Sequence, residues 1–325
     1  MKIKDNRFLI TGGAGLMGSH ITDRLLAKGA SEVILLDNFV RGSMHNIENA
    51  MKDPRVRLVK GDIRDLNLLR DLATGVDGVF HMAALRITAC ADNPQEAMEV
   101  MLVGTHNVLQ TVVEKKVGRL VYASSASVYG LADVFPTSES HHAFNNRTLY
   151  GTAKMAGEGM ARSFADMYGL QYVALRYFNV YGPRMDIHGK YTEVLVRWLD
   201  RVGAGQPPII FGDGSQTMDL VYIDDVTDAN IIAMESDVTD EVFNVASGTE
   251  TSLLGLLQAV LKVTGSTLEP EFLPARSVNP VPRRLADTKK AENLLGFKAK
   301  VSVEEGLRRL IAWRDEILAR KGSAV

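Results

Sequence analysis

The stretch Arg7–His20, RFLITGGAGLMGSH, runs from a short apolar segment of strand character into four glycines, Gly12, Gly13, Gly15 and Gly18, and on into helix-forming sequence. Glycines at such a junction let the backbone turn tightly and bring a helix N-terminus against a pyrophosphate, whose charge the free amides and helix dipole favour. Alone, the cluster reads equally well as a structural turn. Its surroundings sharpen it. The next strand-like run, Glu32–Asp37 (EVILLD), places Asp37 nineteen residues beyond Gly18, with Asn38 and Gly42 in the turn that follows. A carboxylate there accepts hydrogen bonds from a ribose diol and repels a 2'-phosphate, so NAD is expected rather than NADP. Arg41 is the one nearby group that could serve a 2'-phosphate instead. Asp62 and Ile63, in the GDIRD turn after the third strand, belong beside the adenine on this reading, and a turn with a helix cap is the competing one.

Outward from the glycines, apolar runs alternate with amphipathic segments. A helix over about Gly15–Lys28 is followed by EVILLD, VRLVKGD, a helix near Leu66–Ala73, GVFHMAA, GRLVYASS, a long helix from about Tyr150 to Tyr168, and QYVALRYFN. This alternation predicts an α/β fold, a Rossmann-type doubly wound parallel sheet spanning 1–181. The segment Pro94–Lys116 is apolar on more faces than one sheet-facing stripe requires. It is either a fully buried helix or a helix covered on its outer side by a second subunit. After Tyr181 the pattern is punctuated by Gly and Pro. Residues 182–325 are read as a smaller mixed α/β substrate-binding region lying over the open end of the sheet, from which some segments can return to that sheet.

The chain has 325 residues, 46% hydrophobic, with 37 Lys and Arg against 39 Asp and Glu. That balance supplies no basic stripe for a nucleic acid. No apolar run is long enough to span a bilayer and the N-terminus carries no cleavable signal pattern, which points to the cytoplasm. The single cysteine, Cys90, excludes an intramolecular disulfide. No Cys/His cluster has the spacing of a zinc site, so no metal centre is expected.

A candidate catalytic series lies between the fifth strand and the long helix. The strand runs into YASSASVYG, and Tyr150-Gly-Thr-Ala-Lys154 begins 25 residues after Ser125. Tyr and Lys four apart share one helical face. For a tyrosine to act as a base near neutrality its pKa must fall by about three units, roughly 4 kcal/mol. A lysine ammonium ~6 Å away supplies about 2–3 kcal/mol at an effective dielectric near 20, and a positive nicotinamide ring the rest. Ser125 is then placed to hydrogen-bond a reacting hydroxyl, and Lys154 to hold the nicotinamide ribose as well. The competing reading is an exposed helical pair.

Taken together, the glycine loop, the HMAA segment His81–Ala84, SSASVYG, YGTAK, RYFNVYGPR and GDGSQTMDLVYIDDV resemble the NAD-dependent nucleotide-sugar epimerase/dehydratase family over essentially the whole chain. Within it the pattern is most similar to the 4-epimerases of UDP-glucose and UDP-glucuronate. The resemblance implies a tightly held NAD that is regenerated in each cycle, a nucleotide-sugar substrate, and a homodimer through the helices near 94–116 and 150–168. It places Leu16 and Met17 at the cofactor pyrophosphate, Ala83, Ala84 and Arg86 beside the cofactor, and Phe178 at the nicotinamide. On the substrate side it places Ser125, Ser127, Asn179, Arg184, Phe211 and, in the PARSV loop, Arg276. Relatives that eliminate water or carbon dioxide carry an acid just after the catalytic Ser or Thr. Here Ala126 and Ser127 stand there, which disfavours dehydratase and decarboxylase chemistry. A keto-sugar reductase and a non-catalytic NAD-binding scaffold are the other readings. Two departures bear on the substrate: Met218 stands where the family has a diphosphate-binding arginine, with Arg184, Arg283 or Arg284 as substitutes, and Val100, Met101 and Val103 replace an asparagine near the cofactor. His141-His142 and the following NNRT, with Arg147, also depart from the family's pattern and read either as a polar loop or as a substrate contact.

Overall fold

Strand β1 (Arg7–Thr11) is the apolar run ahead of the glycines, buried from Phe8 onward. In the computed structural model, which describes residues 1–186, 194–274 and 281–322, it lies inside a seven-stranded sheet. Its neighbours are β2 (Glu32–Asp37), β3 (Val56–Lys60), β4 (Gly78–His81), β5 (Arg119–Ser125), β6 (Tyr172–Tyr177) and β10 (Glu241–Val245), in the order β10-β6-β5-β4-β1-β2-β3. Every pairing is parallel. The order reverses between β1 and β4, and ligands of open α/β sheets bind outside the carboxyl ends of the strands at such a switch point.

Strand residues alternate between the two faces. Phe8, Ile10, Val33, Leu35, Phe80, Val121 and Val173 pack on one side, with residues of the Leu16–Ala27 and Ile223–Glu235 helices. Leu9, Ile34, Leu36, Val79, Leu120, Tyr122 and Tyr172 pack on the other, with the Leu66–Leu72, Thr105–Glu114 and Leu149–Tyr168 helices. The expected helix over Pro94–Lys116 is not uniform. Pro94–Met98 and Thr105–Glu114 are α-helical, and Glu99–Gly104 between them widens into a π turn. Asn93 caps its start by accepting from the Glu96 amide. Val100 and Met101 in the π turn are buried, whereas Met98 and Val103 are 42% and 53% exposed and leave an apolar outer face.

Between β6 and β10 the chain leaves the sheet. Strand β7 (Asn179–Tyr181) pairs with β9 (Thr217–Tyr222), which also pairs with β11 (Glu250–Ser252). Strand β8 (Ile209–Phe211) pairs with β12 (Glu271–Leu273). Trp198, Tyr181, Leu256, Leu257, Leu307 and Leu310 form the core of this smaller lobe. The chain crosses back between the two strand groups: the Ile223–Glu235 helix and β10 join the large sheet's core, and Ala291 and Phe297 pack with them.

One buried polar group sits at the switch point. His81, 1% exposed, has Nδ1 2.7 Å from the Thr11 hydroxyl and Nε2 3.1 Å from the Thr105 hydroxyl. The Thr105 hydroxyl donates to the Met101 carbonyl, so it accepts from Nε2–H, and His81 is held neutral. Burial, with Lys154 adding to it, pushes its pKa down to about 3. The unfolded chain binds a proton here below about pH 6.5 that the native state refuses, so stability falls as pH drops from 6.5 toward 3. The slope from this residue is roughly 1.4 kcal/mol per pH unit. Chemical unfolding between pH 4 and 6 is expected to be less pH-dependent by about that slope in His81→Gln; identical slopes would contradict the assignment.

Candidate active site

Beyond the carboxyl ends of β1, β4, β5 and β6 lies a cleft of about 1300 Å³ with the smaller lobe as its far wall. A pocket for one small ligand is typically about 300–1,000 Å³, so this one has room for a dinucleotide and a second molecule.

The cofactor end is built by the glycine loop. Gly12 has φ +70°, and a Cβ on it would lie 2.8 Å from the Ala83 backbone nitrogen. A Cβ on Gly18 would lie 2.7 Å from Gly13 Cα and collide with the Gly12 carbonyl, so Gly18 packs behind the loop and does not line the cleft. Gly15 does line it, as do Gly12, Leu16 and Met17, and the helix that starts at Leu16 has no side-chain cap. Its first amides are left for a ligand. Asp37 is buried at the cleft wall: Oδ2 accepts from the Ala14 amide at 2.9 Å and Oδ1 from the Phe39 amide at 2.8 Å. A Cβ on Gly42 would sit 2.5 Å from that carboxylate. Asn38, Asp62, Ile63, Ala83, Ala84 and Arg86 line the same end. Asp62 accepts from Arg64 and from Asn38, and these bonds hold its carboxyl down to about 2. Arg41 also lines the wall, and Arg86 faces Asp186 at 3.6 Å. A glycine cradle that a Cβ would fill, an uncapped helix start and a carboxylate at the second strand end are the donor set that NAD requires.

Gly18→Ala is expected to weaken NAD binding by roughly five- to 150-fold, the equivalent of about 1–3 kcal/mol of overpacking, because the helix start must move off the glycine loop. Gly159→Ala, where a Cβ meets nothing within 4 Å, is the control. Calorimetric NAD titration of both variants checks this; equal affinities would contradict it.

At the other end, β5 delivers Ser125 to the cleft, and Ser125 Oγ accepts from the Ser127 amide at 3.1 Å. Thr148 caps the Leu149–Tyr168 helix by accepting from the Gly151 amide at 3.1 Å. Tyr150, Lys154 and Glu158 follow at four-residue spacing along one face. The Tyr150 phenol lies beside Ser125, which draws its pKa down. Lys154 Nζ donates to the Ala123 carbonyl at 2.5 Å and stands 5.9 Å from the centre of the Tyr150 ring. The electrostatics differ from the sequence expectation. Burial dominates at both groups: it pushes the Tyr150 phenol up, against Ser125 and Arg41, and pushes the Lys154 ammonium down to about 8. The protein's own groups thus keep the phenol protonated, and a lowered value has to come from a further positive charge in the cleft.

Phe178, expected at the nicotinamide, lines the cleft, as do Ser127, Asn179 and Arg184, expected on the substrate side. Arg184 also pairs with Asp23 at 2.6 Å. Phe211 does not line it, and Ile210 beside it on β8 packs into the small lobe's core. Arg276 lies outside the described residues. Met218 is absent from the wall because its side chain packs with the small-lobe core. Of the two suggested substitutes beyond Arg184, Arg283 pairs with Glu250 at 2.7 Å and stacks on Phe135, away from the cleft. Arg284 does reach the cleft, donating to the Ala126 carbonyl at 2.9 Å, and burial pushes its pKa down to about 10. Arg147 and the two histidines do not line it. Residues not picked out from sequence include Thr88, whose buried hydroxyl has no partner among the described residues, and Arg197. Trp313, Ile317 and Arg320 also line it, all from the Val303–Gly322 helix. Their i, i+4, i+7 spacing is the signal that marks one face of that helix.

The profile of the NAD dependent epimerase/dehydratase family matches residues 8–246. The chain is 35% identical over 308 residues to a UDP-glucose 4-epimerase of Mycolicibacterium smegmatis, covering 94% of this chain and 97% of that protein. It is 32% identical over 322 residues to a UDP-N-acetyl-alpha-D-glucosaminuronate decarboxylase of Bacillus cytotoxicus, covering 96% and 98%. A solved UDP-N-acetylglucosamine 4-epimerase of Methanobrevibacter ruminantium, in complex with UDP-N-acetylmuramic acid, superposes with a TM-score of 0.91 at 31% identity over 97% of this chain and 99% of that one.

Proposed function

Because the chain belongs to the NAD-dependent epimerase/dehydratase family of nucleotide-sugar enzymes, we propose that it is a 4-epimerase acting on a UDP-hexose or UDP-hexuronate. The observation that carries this is the Ser125, Tyr150 and Lys154 arrangement, followed in the chain by Ala126 and Ser127 and not by an acid. Bound NAD supplies a two-electron centre that takes a hydride and gives it back. Tyr150 takes the proton of the sugar 4-hydroxyl and later returns it, with Ser125 orienting that oxygen. Lys154, fixed by the Ala123 carbonyl, stabilises the phenolate and holds the nicotinamide ribose. Asp37 selects the ribose diol, and the first amides of the Leu16–Ala27 helix hold the pyrophosphate. Arg184, Arg284 and Asn179 are the groups for the substrate diphosphate. Elimination of water needs a proton acceptor at the neighbouring carbon, and neither Ala126 nor Ser127 is one; loss of carbon dioxide removes no such proton, and product identification separates it.

The test is incubation with UDP-, GDP-, dTDP- and CDP-sugars without added reductant, followed by identification of products. A UDP-sugar is expected to equilibrate with its 4-epimer with no net reduction of the cofactor. Release of carbon dioxide, formation of a 4-keto-6-deoxy sugar, or stoichiometric consumption of NADPH would replace this reading with a decarboxylase, dehydratase or reductase. The same proposal includes a homodimer through the 94–114 and Leu149–Tyr168 helices, where Met98, Val103, Met155 and Met167 are exposed, to be read by sedimentation. Among the described residues no helix is long and apolar enough to cross a membrane.

A further inference from the structure

Between Ser125 and Tyr150 the chain makes a long loop that gathers Asp133, His141 and His142, three side chains the proposed reaction does not use. The ring of His141 is enclosed, its side chain 4% exposed and edge-on to Tyr129 at 5.9 Å. Tyr129 in turn donates to Asn244 Oδ1 at 2.6 Å and accepts from Arg176, so the wall behind His141 is fixed. His141 Nδ1 lies 2.7 Å from the His142 carbonyl oxygen. A carbonyl only accepts, so Nδ1 carries a proton and Nε2 is the nitrogen turned toward Asp133. Nε2 stands 3.3 Å from the Asp133 amide nitrogen and 2.7 Å from Asp133 Oδ1. A contact that short between a ring nitrogen and a carboxylate oxygen has a positive centre against both, a proton or a metal ion. His142 approaches the same carboxylate from the other side, with Nε2 3.6 Å from Asp133 Oδ2. All three candidate ligand atoms lie within 4.8 Å of one another.

We propose that Asp133, His141 and His142 form a binding site for a divalent transition metal of the zinc class. Two imidazole nitrogens with one carboxylate is the donor set such ions take, at about 2.0–2.2 Å per bond. The His141 Nδ1–H bond to a backbone carbonyl is the outer contact that metal-ligating histidines characteristically make, fixing tautomer and ring orientation. His142 is 54% exposed at its side chain, with Nδ1 accepting from the Phe144 amide at 3.3 Å and its ring 4.5 Å from that of His141, which leaves Nε2 for the ion. None of the three lines the cleft. The ion would therefore be structural, clamping the start of the loop to its end eight residues ahead of Tyr150. Sequence spacing concealed the site because adjacent histidines with an aspartate eight residues upstream match no common zinc pattern.

The test is titration of untagged full-length protein with Zn²⁺ alone against a competing chelator, with Co²⁺ absorption as the report on ligand type. One ion per chain is expected to bind in the micromolar range. Loss of an outer-shell contact alone typically costs about 10–100-fold in metal affinity, so loss of a ligand in His142→Gln or Asp133→Asn is expected to weaken binding by at least about tenfold. His142→Gln alters an exposed side chain and keeps the fold, and His106→Gln is the control. Equal affinity in wild type and His142→Gln would overturn the site. So would failure of the wild type to take up Zn²⁺ below the millimolar range. Neither readout uses enzyme activity, so the outcome is independent of the proposed reaction.

Discussion

Tyr150→Phe is expected to fold normally and to bind NAD while losing at least about 10²-fold in turnover, the scale on which a general acid/base group acts. The substitution removes one hydroxyl and leaves the ring packed against the larger core. Cofactor contacts at the glycine loop and Asp37 are untouched, so NAD content and circular dichroism should match the wild type. The Tyr150 pKa sharpens what is being tested. Burial raises it, and Ser125 and Arg41 only partly oppose that. If the phenol acts as a base near neutrality, it does so under the positive charge that accompanies the oxidised cofactor. Turnover within a few-fold of wild type would remove Tyr150 from the chemistry, and with it the epimerase reading.

A comparably large effect, on stability, is expected from Arg176→Met. Arg176 and Glu158 form a buried, two-pronged pair, Nε to Oε1 at 2.9 Å and Nη2 to Oε2 at 2.6 Å, and the Ser124 hydroxyl closes on the same carboxylate. Glu158 continues the face that carries Tyr150 and Lys154, so this pair fastens the Leu149–Tyr168 helix to β5 and β6. Removing the guanidinium leaves a carboxylate enclosed without its partner, a change that typically costs about 3–5 kcal/mol. Whole domains are stable by only about 5–15 kcal/mol. Replacing both charges in Arg176→Met/Glu158→Gln should recover much of the loss, because the neutral amide can still bond Ser124. Denaturant unfolding of the two variants measures this. A loss below about 1 kcal/mol in Arg176→Met, the range of exposed pairs, would mean that the pair is solvated.

What could be read from the sequence was local in origin. The glycine loop, Asp37 at the end of β2, and the strand and helix periodicities each depend on a few consecutive residues, and they sufficed for the α/β class, NAD and the family. What escaped depends on residues far apart. A return of some segment to the large sheet was expected, but Glu241–Val245 is a five-residue strand with no local mark that it is the one. Phe211, which the family resemblance places on the substrate side, is absent from the cleft lining. Met218 seemed to leave a gap in diphosphate recognition, but its backbone position points it into the small-lobe core, while Arg284 enters the cleft from a loop 66 residues on. The upward shift of Tyr150 was missed for the same reason. Spacing gives the distance to Lys154 but not the depth at which both groups are enclosed.

The seventh strand carries one more consequence. Because β10 is reached only after the chain has visited the smaller lobe, and the Ile223–Glu235 helix returns ahead of it, no single cut separates a cofactor half from a substrate half. Joining residues 1–181 to the tail of a relative would give a sheet whose last strand is foreign, paired to β6 along the register Glu241–Val245 against Val173–Tyr177. New sugar specificities in this architecture are thus more readily reached by altering side chains along the cleft than by shuffling gene segments.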